Sequence, residues 1–189
     1  MEKTNAAINS PLLAETAKKL WYAVHTTGCR ELIAKEYLQE QGLQCFVPMT
    51  YSDTDRKGQP TAKHLVPAVH NLLFFRTPLA QRHLSPIINN CPFPIWIYTK
   101  ENSMNYFPIT DSEMAEIRLL CDPEYKLTEF IPRNQAEAKV GKQVRIIKGP
   151  FSGITGKLVR IGPGYFFIKT VFNMGIMLRI SRWYCNVIE

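Results

Sequence analysis

Between Val140 and Ile161 the chain reads VGKQVRIIKGPFSGITGKLVRI, and this stretch restricts the possible folds more than any other. Two short apolar-basic runs, Val144–Ile147 and Leu158–Ile161, flank a turn-rich centre holding Gly149, Pro150, Gly153 and Gly156. Alternating β-branched residues on either side of such punctuation predict two strands joined by a tight loop. Glycine reaches positive φ at little steric cost, and Pro150 fixes its own φ where no ladder donor is needed. Downstream, Tyr165–Phe172, Ile176–Ile180 and Tyr184–Ile188 read as three further strands. Together they predict a five-stranded, small all-β barrel over residues 139–189.

The charge of the molecule is concentrated in the same region. Residues 139–189 carry nine Lys and Arg against one acid, Glu189, or +8. The other 138 residues hold fourteen bases and fifteen acids, or −1. The basic excess points to a polyanion or an acidic protein face as the neighbour of the C-terminal module; a plain solvated surface is the alternative. No run approaches the roughly 18–20 apolar residues of a membrane span. The opening MEKTNAAINSPLLAETAKKL lacks the apolar core of a secretory signal. Five scattered cysteines (Cys29, Cys45, Cys91, Cys121, Cys185) form no C-x-x-C pair. The expectation is a cytoplasmic protein with no membrane association, disulfide framework, metal or other cofactor.

Upstream, residues 1–19 read as a polar leader with helical character near Leu12–Leu20. Residues 20–27 predict a buried strand. Residues 29–41 predict a helix with Ile33, Ala34, Tyr37, Leu38 and Gln41 on one face, a Glu31–Lys35 pair, and Gly42 as its stop. A strand at Gln44–Met49, a polar loop over 52–64 and strand character over 65–77 follow. Residues 79–85 predict a short helix ending before Pro86, and Ile95–Tyr98 a strand. Thr110-Asp-Ser-Glu113 is a capping box opening a helix to about Leu120. Residues 124–138 are polar, with little periodicity, and read as an interdomain linker. The order β-α-β-β-α-β-α predicts an α+β sandwich with helices on an antiparallel sheet.

The Gly-Pro stretch resembles the KOW motif of NusG-type transcription factors and certain ribosomal proteins. Trp21-Tyr-Ala-Val-His-Thr-Thr-Gly28 resembles the opening of the NusG N-terminal (NGN) domain. Cys45-Phe-Val-Pro-Met49, the Pro67–Phe75 run and Pro108-Ile-Thr-Asp-Ser-Glu113 resemble its later motifs in the same order. The chain is therefore similar to the NusG/RfaH family of elongation and antitermination factors. The resemblance implies an NGN-like domain over 20–123, an α+β antiparallel sheet with helices, and a linker at 124–138. It further implies a small all-β SH3-like KOW barrel over 139–189. The variants at Cys45–Met49 and Pro67–Phe75 are closer to RfaH, an operon-specific paralogue. His70-Asn71-Leu72 departs from the family's aromatic-bearing triplet, and the loop at 52–64 is unusual. Both favour a specialised paralogue similar to the UpxY-type antiterminators of capsular polysaccharide operons.

The resemblance implies that the N-terminal domain docks an apolar depression onto the β′ clamp helices of RNA polymerase and bridges to the β subunit. Suppression of pausing and termination then follows from differential binding, with no covalent chemistry. The residues it places there are Trp21, Tyr22, His25, Val69, Leu72 and Phe74, with His83 toward the β subunit. Core packing is the competing role for each. Arg30 faces non-template DNA by the same resemblance. In the C-terminal module, Lys148, Lys157 and Arg160 suit a phosphate backbone of DNA or nascent RNA. Phe172 matches a residue that contacts partners such as a ribosomal protein or Rho. The β-prone, glycine-interrupted tail favours a barrel over the α-hairpin known in RfaH. Two other classes are less consistent with the sequence. An RNA-binding or ribosome-associated KOW protein conflicts with the NGN-like first 120 residues. An enzyme built on His25 and Cys29 lacks any G-x-S-x-G, phosphate loop or H-E-x-x-H support.

Overall fold

The computed structural model describes residues 19–52, 64–125, 128–172 and 174–188. The expected leader helix and most of the 52–64 loop lie outside these residues. No described helix is long and apolar enough to cross a membrane.

The N-terminal half is built on a four-stranded antiparallel sheet in the order β2-β5-β1-β6, from Gln44–Phe46, Leu72–Thr77, Leu20–Thr26 and Ile95–Ile97. Two short strands, β3 (Met49–Tyr51) and β4 (Leu65–Pro67), pair separately. The expected strand over 44–49 is thus split at Val47-Pro48, since proline cannot donate to a continuous ladder. The expected 65–77 strand breaks at Ala68–Asn71, where Asn71 takes φ +62°. In β1 the period of two sends Trp21 and Ala23 to one face and Tyr22 and Val24 to the other.

The second of these faces is covered by α1 (Glu31–Glu40) and α2 (Gln81–Asn89). Ala34, Leu38 and Leu84 pack there with Val24, Leu73, Phe75, Ile95 and Ile97. Three expectations for these helices fail. Ile33 is exposed, and Glu31 is buried rather than paired with Lys35. Helix α2 runs through Pro86 although an interior proline costs a helix about 3 kcal/mol or more. Burial of Leu84 with Ile87 and Ile88 against the second core offsets that loss. The other sheet face receives α3 (Asp111–Leu120), whose Thr110 and Glu113 form the expected reciprocal capping box at 3.2 and 2.8 Å.

The C-terminal module is a six-stranded antiparallel sheet ordered β12-β8-β9-β10-β11-β7. Its strands are β7 (Thr128–Pro132), β8 (Lys142–Ile146), β9 (Thr155–Ile161), β10 (Gly164–Val171), β11 (Met174–Arg179) and β12 (Cys185–Val187). A single 3₁₀ turn at Arg182–Tyr184 precedes β12. Five strands were expected. The sixth, β7, lies in the segment read as linker, paired along β11 from Thr128↔Leu178 to Pro132↔Met174. A short helix, α4 (Arg133–Ala138), follows and buries Ala136 against Val159 and Ile168. The β8–β9 turn carries Gly149 and Gly153 at φ +82° and +96°, the conformations expected of the Gly-Pro motif. Gly156 answers a different need: a Cβ there would lie 2.4 Å from the Phe167 ring.

Candidate functional site on the outer sheet face

Five of the seven residues expected at a polymerase contact share one face of the N-terminal sheet. Trp21, Leu72 and Phe74 are buried in it, Val69 packs at its edge, and His25 lies at its β6 end. Tyr22 points the opposite way, into the helix-covered core beside Phe75 and Tyr106. His83 is exposed on α2, again on the far side, with its Nε2 accepting from Arg82 Nε at 3.3 Å. Strand alternation separates Tyr22 from its neighbours, and no sequence motif overrides it.

Trp21 is 2% exposed and held on three sides. Its Nε1 donates to Asp111 Oδ1 at 2.9 Å, and its backbone exchanges hydrogen bonds with Ile109 at 3.0 and 2.8 Å. The Arg118 guanidinium stacks 4.5 Å from its ring centre and 5.3 Å from that of Phe46. Asp111 also accepts from Arg76 Nη2 at 2.5 Å. The first turn of α3 favours such a carboxylate, where the helix N-terminus adds to the attraction. His25 stacks on Trp96 at 5.8 Å and meets the edge of Tyr98. Cys29, its supposed catalytic neighbour in the enzyme reading, instead donates its backbone N–H to Asn71 Oδ1 at 2.9 Å.

This face is covered by the C-terminal module. Phe172, in the β10–β11 turn at φ +51°, sets its ring among Phe74, Tyr98 and Phe107, with centroids 5.9, 5.2 and 5.7 Å away. Its carbonyl accepts from Arg133 Nη1 at 3.2 Å. Lys169 Nζ pairs with Glu116 on α3, and Tyr125 packs edge-on against Phe151 at 4.8 Å. One apolar core consequently runs from Trp21, Leu72 and Phe74 through Met114, Ile117 and Leu120 into Val144, Phe167, Met174 and Leu178. Beside Phe172 a cleft of about 820 Å³ remains between the modules, walled by Tyr98, Phe107, Glu113, Glu116, Arg133 and Lys169. Sequence reasoning named Phe172 but not Tyr98, Phe107 or Asp111. Only the capping box, which puts Asp111 in a first helical turn, carried a signal for any of them.

The remaining candidates are dispersed. Arg30 is exposed with its guanidinium 5.5 Å from the Phe93 ring. Lys148 is exposed in the β8–β9 turn and Arg160 on β9. Lys157 is engaged: its ammonium donates to the carbonyls of Ala136, Glu137 and Lys139 at 3.3, 3.4 and 2.7 Å, at the C-terminal end of α4. A cation suits the negative end of a helix, and this role competes with any phosphate contact. Among the described residues no cluster of His, Cys, Asp or Glu has the makings of a metal site. Burial pushes the Cys121 thiol up to about 12, and that of Cys45 up to about 11 despite the opposing charge of Lys35.

An α+β sheet domain whose outer face packs on α3 and on a second, basic β-module defines a two-module protein. Comparison with known proteins gives the class a family. The family model described as transcription termination factor nusG matches residues 19–118, and the chain belongs to the NusG family of transcription factors. No curated protein sequence matches it. A solved structure described as domain interaction in Thermotoga maritima NusG is similar in fold, with a TM-score of 0.55 and 20% identity over 91% of this chain and 98% of the other.

Proposed function

We propose that the protein is a transcription elongation and antitermination factor that binds RNA polymerase through the outer face of its N-terminal sheet. The observation that carries this reading is the cover of that face: beyond α3, its apolar surface is completed by an aromatic side chain from another module. In this reading the β′ clamp helices, with their apolar surface, replace Phe172 and its neighbours on Phe74, Tyr98 and Phe107. Binding then requires the C-terminal module to swing away, and the apparent affinity falls with the fraction of molecules that are closed. The described interaction of domains in the Thermotoga protein supports a contact of this kind. Once released, Phe172 and its turn become available to a second partner, such as a ribosomal protein or Rho. The departures at His70–Leu72 and in the 52–64 loop favour an operon-specific role of the UpxY type.

The test is capture of purified host RNA polymerase by the full chain, by Phe172→Asp, and by Phe172→Asp combined with Val69→Asp. Phe172→Asp should bind several-fold more tightly than the wild type, and adding Val69→Asp should remove that gain. Equal capture by the wild type and Phe172→Asp would place the contact elsewhere. Absence of capture by all three would end the polymerase reading.

A further inference from the structure

The cleft between the modules is walled by groups that the packing of the modules leaves unused. Its volume of about 820 Å³ and its place at a domain boundary are those of a small-molecule site. Tyr98 and Phe107 come from the N-terminal domain, and the Phe172 ring of the other module lies 5.2 and 5.7 Å from theirs. Ile109, Ile117 and Val171 add aliphatic surface to the same walls.

The charges around this apolar lining are unevenly committed. Lys169 pairs with Glu116, and Arg133 pairs with Glu137 at 2.6 Å while donating to the Phe172 carbonyl. Those cations are therefore spent within the protein. Two further carboxylates of the lining, Glu101 and Glu113, have no cationic partner among the described residues, and Lys100 is the single ammonium left to set against them. Glu113 uses only Oε2, which accepts from the Thr110 N–H and hydroxyl, both at 2.8 Å. Its Oε1 is free. Tyr98 likewise has no hydrogen-bond partner for its hydroxyl among the described residues, and burial holds that hydroxyl protonated.

We propose that this cleft binds a small organic cation, an amine on an aromatic or other apolar body, and that the occupant clamps the two modules together. The face of an aromatic ring carries negative potential and attracts a cation. Three such rings and two uncompensated carboxylates therefore favour an ammonium group over a neutral one. An anion would meet Glu101, Glu113 and Glu116 at the same opening. A wholly polar cation would gain nothing from the aliphatic walls. Because Tyr98 and Glu113 belong to one module and Val171 and Phe172 to the other, the complete site exists only while the modules are closed. A ligand that binds one of two arrangements shifts the population toward it. The site does not rest on the polymerase reading, since closure can be followed in the free protein.

Phenethylamine, phenethyl alcohol and phenylacetate share one body and differ in charge. Each is titrated into the full chain and followed by amide chemical shifts. The amine should bind saturably and about fivefold more tightly than the alcohol, with phenylacetate weakest. Glu101→Gln combined with Glu113→Gln keeps the acceptor that Thr110 needs, and should erase the gap between amine and alcohol without changing the alcohol's affinity. Phe172→Ala should weaken both. In the wild type, the amine at about ten times its Kd should slow alkylation of Cys121, in the core the modules share, about tenfold, and leave Cys45 unchanged. Phenylacetate binding as tightly as the amine, or an amine preference that survives in the double variant, would overturn the assignment of a cation. Saturable binding with no change at Cys121 would overturn the clamp. Absence of saturable binding by all three probes would overturn the site.

Discussion

The two faces of the N-terminal sheet are made from alternate residues of the same strands, yet they are buried in different ways. Tyr22, Val24, Leu73 and Phe75 meet α1 and α2, helices tied to the sheet by short connections. Trp21, Ala23, Leu72 and Phe74 meet α3 and then a second module whose closest plug is one side chain, Phe172. Apolarity alone does not distinguish them. The difference lies in the cover: one cannot leave without unfolding the domain, and the other belongs to a module with its own ladder and core residues.

Four substitutions grade this contrast. Phe75→Ala, on the helix-covered face, should cost about 3–5 kcal/mol in urea unfolding, as a fully buried aromatic loses both its transfer energy and its cavity. Glu31→Ala should cost about 1–3 kcal/mol, because Asn71 N–H, at 3.0 Å from that buried carboxylate, loses its acceptor. Phe172→Ala should weaken the docking of the modules by about 1–2 kcal/mol, in keeping with a half-buried ring, while leaving the sheet folded. Its readout is alkylation. Cys121, buried in the core the modules share, should react faster in the variant, whereas Cys45, beneath the helices, should not. Thiolate is the reactive form and burial opposes its formation at both positions; Cys121, the fully buried one, must be uncovered before it reacts. If both cysteines accelerate together, the two faces open as one unit and the contrast fails. Lys169→Ala should have the smallest effect, under about 1 kcal/mol, and that effect should fade as salt screens its partly exposed pair with Glu116.

Much of this arrangement was legible in the sequence where local chemistry decides it. The β1 alternation, the capping box at Thr110 and the Gly-Pro turn of the C-terminal module each need only their neighbours. The misreadings share a different cause. Strand β7 is a five-residue run, Thr128–Pro132, inside an otherwise polar segment, and it is a strand because β11 offers it an edge. Glu31 looked like a surface residue with an i,i+4 partner, and it is buried because the Asn71 turn needs an acceptor. The resemblance places Tyr22 with Trp21, although neighbours in a strand face opposite ways. The contact of Phe172 with the chain's own N-terminal sheet, which stands beside its expected role toward other molecules, depends on packing between distant segments and leaves no local pattern.

The strand that extends the C-terminal sheet into the linker also sets a leash. Helix α3 ends at Leu120 and β7 begins at Thr128, so seven residues join the modules. Fully stretched, they reach about 25 Å. A released module therefore patrols a small volume and remains a competitor at millimolar effective concentration for the face it has just left. An incoming partner contends with a tethered rival whose local abundance is fixed by seven peptide units, and which no dilution of the protein can lower.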